Sequence, residues 1–361
     1  MNKEIKNQFM PDYAVSPGET LAETLKTIGM SQKEFAERTG RPVKTINEII
    51  KGKAAITPET ALQFERVLGT PAGFWNNLER NYQETLARIN EHKRLNQKTD
   101  WLRKVPLNKL IKMGWIKKHE NKVQQLREVL NYFGVASPEQ WEARWLKTQI
   151  SYRTSKAFQS DPYAVAAWLR KGELTARNIN CKTYDALKFK NALSFVRMLT
   201  VKPPEHFQEE IISLCSEAGV AVAFVPEIPK IRASGATWWI NTGKAVIQLS
   251  LRYKTDDQLW FSFFHEAGHI LLHGKKEVFI EDDGDNAKED EADKFASDFL
   301  IPVKEYDRFI RSGKYGKAAI KQFAGELGIA PGIVVGRLQH DGRLSYGYCN
   351  DLKKKCEWGK S

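Results

Sequence analysis

The chain has 361 residues, of which 42% are hydrophobic and 28% are charged, and this composition is typical of a globular protein with two or three domains. No stretch approaches the ~18–20 continuous apolar residues of a membrane-spanning helix, and the first residues lack the apolar core of a signal peptide. These features predict a cytoplasmic protein that does not bind membranes. The formal net charge of +12 is compatible with a nucleic-acid partner, and a basic surface kept for solubility is the alternative.

Residues 16–80 are predicted to form a bundle of short helices. Capping boxes at Ser16 and Ser31 begin the first two helices, Pro42 opens a third, and Thr57 precedes a fourth. A glycine follows each of the first three helices and marks its end. Two short helices joined by a tight glycine-centred turn within such a bundle form a helix-turn-helix.

The outward face of the third predicted helix carries polar side chains that are long enough to reach base edges and phosphates in a major groove. With one residue of the preceding helix added, the predicted DNA contacts are Gln32, Lys44, Thr45, Asn47 and Lys51. The predicted inward face consists of Val43, Ile46 and Ile50. The alternative function is a bundle of the same fold that contacts only proteins.

The run PGETLAETLKTIGMSQKEFAERTGRPVKTINEIIKGKAAITPETALQFERVLGTPAGFWNNLERNY resembles the phage-repressor-type helix-turn-helix of HigA-family antitoxins. The resemblance lies in the order and spacing of the helices and extends over nearly all of residues 16–82. It implies a homodimer that binds a palindromic operator in double-stranded DNA, often the promoter of its own gene.

Residues 96–204 are predicted to be a helical linker region without an assigned activity, and a proline pair at its end is predicted to act as a hinge. Trp141 and Trp145 are four residues apart on a predicted helix. Such aromatic side chains could stack on nucleic-acid bases, but packing within a core is the interpretation that their spacing favours.

Beyond residue 204 the sequence predicts a helix and then strands over 220–225, 236–240 and 245–251. A further helix follows, with the motif HEAGH at residues 265–269. The predicted fold is therefore multidomain and mainly α. It comprises an N-terminal helix-turn-helix bundle at 1–95, a helical middle at 96–204, and a small α+β zincin-like metallopeptidase domain with a three-stranded sheet and a C-terminal helical tail at 205–361.

HEAGH is the strongest chemical signal in the sequence. His265 and His269 are four residues apart, so both imidazoles project from one face of the helix and can bind one metal ion. Glu266 lies beside them and is the predicted catalytic base, because it is placed to take a proton from a water molecule that zinc has acidified.

A catalytic zinc site of this kind needs a third protein ligand and keeps one position for water. Periodicity of the downstream helix KEDEADKFASDFLIP places Glu289 and Glu291 on opposite borders of its buried stripe, so it leaves both open. His273 lies roughly 12 Å along the helix axis from His265, too far to share its ion. His273, Arg252 and Tyr253 are instead candidates for contacting a ligand residue or the substrate.

HEAGHILLH followed by EADKFASDFLIP resembles the ImmA/IrrE family of metallopeptidases, over roughly residues 211–358. This resemblance implies a Zn²⁺ ion bound by His265, His269 and Glu291, since the family's third ligand is the glutamate just before the alanine. It also implies cleavage of a regulatory protein, such as a phage-type repressor or a partner of a toxin–antitoxin operon. The alternatives are a non-proteolytic transcriptional regulator that contains zinc and an antitoxin that neutralises a toxin by binding.

The C-terminal run IKQFAGELGIAPGIVVGRLQ repeats the helix-turn-helix pattern of the N-terminal bundle. Its second helix is apolar at Ile333, Val334 and Val335, and we therefore expect it to pack against the peptidase domain rather than to contact DNA.

Overall fold

The computed structural model describes residues 13–151, 161–202, 204–229, 231, 233–250, 255–274, 279–280 and 287–356. These residues form two compact units. The first unit contains the described chain up to Asp100 together with Glu120–Leu126, and the second contains Trp101–His119 and the described chain from Arg127 onward.

The first unit is built from short helices in the predicted order. Their bounds are α1 Pro17–Thr27, α2 Gln32–Thr39, α3 Val43–Ile50, α4 Pro58–Leu68 and α5 Ala72–Asn96. The capping box of α1 is complete, because Ser16 Oγ accepts a hydrogen bond from Gly18 N–H at 3.1 Å and Glu19 accepts one from Ser16 N–H at 3.4 Å.

The start of α2 differs from its prediction. Ser31 Oγ accepts a hydrogen bond from Glu34 N–H at 3.1 Å, as a helix cap should. The Glu34 carboxylate instead pairs with Arg38 one turn later, at 2.6 Å. This start is therefore a simple serine cap rather than the predicted reciprocal box.

The core of the first unit lies between α3 and the aromatic rings of its neighbours. The Phe64 ring is 4.9 Å from that of Phe35 and 5.5 Å from that of Trp75, between ring centroids. Ile46 and Ile49 of α3 are buried, three residues apart on one helix face. The prediction for α3 was wrong at Val43, which is 45% exposed because it stands at the first helical position, outside the face defined by Ile46 and Ile49.

A glycine allows α1 to lie directly against the end of α3. A Cβ atom placed on Gly18 would be 2.7 Å from Ile50 Cα and would also overlap the carbonyl oxygen of Ile49. Both of these are backbone atoms, so they cannot move aside as a flexible side chain would. The helices of this unit can take their observed positions only if residue 18 has no side chain.

The second unit begins with helical segments that are rich in aromatic residues. Their bounds are a 3₁₀ helix at Thr99–Lys104, which starts at the boundary of the units, then α6 Leu107–Lys112, α7 Lys122–Phe133, α8 Pro138–Ser151, α9 Pro162–Asn178, α10 Ala186–Met198, a 3₁₀ helix at Leu199–Val201 and α11 Pro204–Ser216. The first residues of α7, up to Leu126, belong to the first unit. Trp141 stacks on Tyr163 with ring centroids 4.3 Å apart. Trp141 and Trp145 are 1% and 7% exposed, which confirms that they pack within the protein.

A four-stranded mixed sheet follows these helices. Its strands are β1 Val220–Phe224, β2 Gly235–Asn241, β3 Lys244–Leu249 and β4 Phe279–Ile280, in the order β1-β3-β2-β4. β1 is parallel to β3, whereas β2 is antiparallel to both β3 and β4. The three strands predicted from the sequence are present. The two-residue strand β4 was not predicted, because so short a run has no detectable alternation.

The remaining helices cover the sheet and end the described chain. They are α12 Asp256–Leu272, α13 Ala287–Leu300, α14 Val303–Arg311, α15 Lys317–Leu327, α16 Pro331–His340 and a short 3₁₀ helix at Asn350–Leu352. Val334 and Val335 of α16 are fully buried, which confirms that this helix packs inside the protein. Within the described ranges no single helix is long and apolar enough to cross a membrane; α15 and α16 reach that length only together, and they meet at 114°.

The contact at Gly18 gives a direct test of the first unit. We expect Gly18→Ala to lower the free energy of unfolding by about 1–3 kcal/mol, because the added methyl group forces α1 away from α3. Thermal unfolding of the full chain, followed by circular dichroism, measures this change.

Gly73→Ala in α5 is the matched control, since among the described residues no atom lies within 4 Å of its added Cβ. This substitution should be neutral or stabilise the helix by up to about 1 kcal/mol. Equal destabilisation by the two substitutions would contradict the close approach of α1 and α3.

Candidate metal centre

Helix α12 carries the HEAGH motif into the interior of the second unit. It begins after Thr255 with two aspartates in its first turn, where the helix dipole favours negative charge. His265, Glu266 and His269 are at most 2% exposed. The Nε2 atoms of the two histidines are 3.0 Å apart, so both rings point to the same place, as their four-residue spacing predicts.

Helix α13 adds a carboxylate to this pair. Glu289 Oε2 lies 3.0 Å from His265 Nε2 and 3.5 Å from His269 Nε2. One ligand atom from each of the three residues lies within 4.8 Å of the others, so the group could hold a metal ion. We call His265, His269 and Glu289 the metal centre. Two imidazoles and one carboxylate are a ligand set that zinc takes in catalytic sites, and the residues present fit that ion.

The second nitrogen of each histidine ring is also engaged. His265 Nδ1 lies 2.7 Å from Asp293 Oδ1, and His269 Nδ1 lies 2.9 Å from His273 Nδ1. Such contacts fix the orientation of a ligating ring and leave Nε2 for the ion. The ring of Phe279 in β4 stacks on His269 with centroids 4.1 Å apart and restricts that ring further.

Glu291, the third ligand implied by the family resemblance, lies elsewhere. Its side chain is 63% exposed, and its Oε2 is 3.1 Å from His273 Nε2. On a helix, Glu289 and Asp293 are four residues apart and share the face towards α12, whereas Glu291 is turned by about 200° from Glu289. The geometry therefore places Glu289, not Glu291, beside the histidine pair.

Of the three other candidate residues, His273 is among the described residues. His273 was predicted to contact a ligand residue or the substrate, and it does touch His269. Arg252 and Tyr253 lie outside the described residues.

Strand β2 holds Glu266 from the other side. A Cβ atom on Gly235 would lie 2.8 Å from Glu266 Cγ, so this strand can approach the carboxylate only because residue 235 is glycine. The hydroxyl of Thr237 donates to Val246 O at 3.1 Å and lies 3.4 Å from Glu266 O. Sequence reasoning missed Gly235, since a glycine at the start of a strand gives no sign of what it contacts.

The pKa shifts of His269 and Glu289 favour the protonation states that bind a cation. Burial is the largest effect on His269 and lowers its pKa, which favours the neutral imidazole. Burial alone would raise the pKa of Glu289, but hydrogen bonds with His265 and His269 outweigh it and lower the pKa to about 2. Neutral imidazoles and an ionised carboxylate are the forms that bind metal ions.

The predicted DNA contacts lie on α2, on α3 and, for Lys51, at the residue that follows α3. Gln32 and Lys51 are exposed, whereas Thr45 and Asn47 are partly buried. The side chain of Lys44 is 85% exposed and lies 4.0 Å from Glu48 on the same helix. These positions agree with an outward-facing second helix of a helix-turn-helix.

Comparison with known proteins gives two family matches. A model of the helix-turn-helix matches residues 21–75, and a model of the IrrE N-terminal-like domain matches residues 215–338. The first range contains α2 and α3, and the second contains all three residues of the metal centre.

Among individual proteins, the chain is similar to an uncharacterized HTH-type transcriptional regulator, YddM, of Escherichia coli (strain K12). The identity is 35% over 63 residues, which are 18% of this chain and 67% of that protein. Virulence-associated protein I of Dichelobacter nodosus is 36% identical over 75 residues, which are 20% of this chain and 69% of that protein.

Among solved structures, an addiction module antidote protein of the HigA family from Coxiella burnetii is 32% identical and covers 23% of this chain and 92% of its own, with a TM-score of 0.22. The Pseudomonas aeruginosa antitoxin HigA with the higBA promoter is 27% identical and covers 24% of this chain and 94% of its own, also with a TM-score of 0.22. By its similarity to these curated relatives, the chain belongs to the HTH-type transcriptional regulators, and it joins their helix-turn-helix domain to an IrrE N-terminal-like domain.

Proposed function

We propose that this chain is a DNA-binding regulator with a zinc-dependent endopeptidase domain that cleaves a regulatory protein partner. The observation that carries the proposal is the meeting of His265, His269 and Glu289, with the buried Glu266 directly following His265 on the same helix. Catalytic zinc sites have three protein ligands, whereas structural sites close all four positions, most often with cysteine or histidine.

In the proposed reaction His265, His269 and Glu289 hold the ion, with Glu289 in place of Glu291 as the third ligand. Bound zinc would polarise the substrate carbonyl group and lower the pKa of water. Asp293 and His273 keep the two imidazoles in the orientation that binding needs, through the contacts at Nδ1.

Glu266 moves the proton. A water oxygen bonds to the peptide carbonyl carbon, and the proton that this water loses goes to a carboxylate oxygen of Glu266. Glu266 then gives the proton to the amide nitrogen, the carbon–nitrogen bond breaks, and the carboxylate is restored. The backbone of β2 at Gly235 confines the Glu266 side chain, so it needs little reorganisation during the transfer.

The first unit is proposed to bind operator DNA as a homodimer. Its support is the exposed polar face of α3, the net charge of +12 and the similarity to an HTH-type transcriptional regulator. The proposed substrate is a repressor or a toxin partner encoded near the operator, because such a protein would relate DNA binding by the first unit to cleavage by the second.

Glu266→Gln tests the role of the proposed base. We expect the variant to bind zinc as the wild type does but to cleave its substrate about 10²–10⁴-fold more slowly, because the amide cannot accept the proton. New protein N-termini in cells that express either form identify the cleavage, and elemental analysis of the purified chains measures zinc.

Glu326→Gln, at an exposed position of α15, is the matched control for loss of a carboxylate, and this variant should cleave the substrate normally. Equal cleavage by Glu266→Gln and the wild type would remove Glu266 from the mechanism. Matching N-terminal profiles for wild type and variant under several stresses would favour a regulator that binds zinc without proteolysis.

Glu289→Gln and Glu291→Gln form a matched pair for the third ligand. Loss of Glu289 should weaken zinc binding by more than about 100-fold, since even residues that only orient a ligand contribute roughly 10–100-fold. Loss of Glu291 should change the affinity only a few-fold. Competition with a chromophoric chelator measures both, and the opposite ranking would restore Glu291 as the ligand.

Substitutions on α3 test DNA binding. An operator is first selected from genomic fragments with the full chain. Asn47→Ala should then cost about 1–3 kcal/mol and relax the sequence preference if its amide contacts a base edge. Lys44→Ala and Lys51→Ala should each weaken binding to all sequences. Each should also reduce, by about 1, the slope of the logarithm of the binding constant against the logarithm of the salt concentration.

Lys26→Ala, at the exposed end of α1, serves as the matched lysine control. If all of the lysine variants lost the same affinity, the net charge rather than α3 would account for DNA binding. If the wild-type chain selected no fragment, the proposed DNA partner would be wrong.

A further inference from the structure

The second unit contains a pocket whose lining residues do not include those of the metal centre. Its volume is about 290 Å³, and helices α8 and α9 and strand β2 supply its walls. The residues that define its chemistry are Arg144, Trp145, Glu173, Arg177, Trp238 and Trp239, and we call it the tryptophan pocket.

The walls of this pocket suit a flat ring. Trp145 and Trp238 are 7% and 9% exposed, so their positions are fixed by the surrounding structure. Aromatic side chains attract planar ligands by stacking, and they lose little conformational entropy when they do so.

The charge of the walls favours an anion. Both oxygens of Glu173 are engaged by arginines, with Arg177 at 2.5 Å and the buried Arg170 at 2.7 Å. The guanidinium carbon of Arg144 lies 5.9 Å from the ring centroid of Trp145. Among the residues that line the pocket, two guanidinium groups, those of Arg144 and Arg177, accompany one carboxylate, so basic side chains outnumber acidic ones in its lining.

We propose that the tryptophan pocket binds a small planar aromatic anion, with its ring against the tryptophans and its carboxylate, sulfonate or phosphate group near Arg144 and Arg177. Guanidinium groups match the geometry of these anions because they can donate two parallel hydrogen bonds. The volume is at the lower end of the roughly 300–1,000 Å³ usual for ligand pockets, so one ring system with one anionic group fills it.

The test distinguishes the contribution of the ligand's aromatic ring to binding from that of its anionic group. The full chain is titrated with 5′-AMP and naphthalene-2-sulfonate, which have both features, and with adenosine and ribose 5-phosphate, which have one each. Because tryptophans form the walls, bound aromatic probes should quench the intrinsic tryptophan fluorescence, and calorimetry gives the affinities of all four. At least one probe with both features should bind, and those with one feature should bind at least about tenfold more weakly.

Variants then locate the binding. Arg144 and Arg177 are both exposed, so Arg144→Ala and Arg177→Ala should fold normally, which thermal unfolding checks. Each substitution should lower the affinity for the probe at least about tenfold, because each removes a charged hydrogen-bond donor to its anionic group. Arg311→Ala, at the exposed end of α14, is the matched control and should leave binding unchanged.

Three results would overturn the proposal. One is the failure of both ring-and-charge probes to bind at millimolar concentration. Another is adenosine binding as tightly as 5′-AMP, and the third is binding that survives both arginine substitutions. The experiment reads binding alone, so its outcome does not depend on whether the metal centre cleaves peptides.

Discussion

The metal centre depends on one close contact between two helices. Gly268 lies between the two histidines of α12, and a Cβ atom there would be 3.3 Å from Ala292 Cα and 3.1 Å from the Phe295 ring on α13. The absence of a side chain at residue 268, with fully buried Ala292 opposite it, lets α13 lie close enough for the Glu289 carboxylate to reach both Nε2 atoms. A side chain at residue 268 would require α13 to shift away from α12, although all three residues of the metal centre would still be present.

This arrangement buries ionisable groups that a protein interior normally excludes. His265, Glu266 and His269 are at most 2% exposed and are surrounded by apolar residues of the same helix. Isolated charges in such a place are costly, and they persist when hydrogen bonds or a cation compensate them. Asp293 and His273 contact the histidine rings and contribute to that compensation, and the proposed zinc ion would add to it.

Much of the fold could be predicted from the sequence because it rests on local signals. Caps and glycines mark the helices of the first unit, and the four-residue spacing of His265 and His269 fixes their common direction. The proposed third ligand could not be chosen in this way. Periodicity allowed both Glu289 and Glu291, and only the rotation of α13 against α12 distinguishes them, which is a tertiary feature. Gly235 was missed for the same reason, because its role is defined by a side chain 31 positions away in the sequence.

Strand β2 contacts Glu266 and also lines the tryptophan pocket. Gly235 and Thr237 contact Glu266, and the next residues, Trp238 and Trp239, line the pocket. Ala236 and Thr237 pair with both β3 and β4, whereas Trp238 and Trp239 pair with β3, so one ladder with β3 runs past Glu266 and along the pocket. The position of β2 therefore determines both the packing of Glu266 and the shape of the tryptophan pocket.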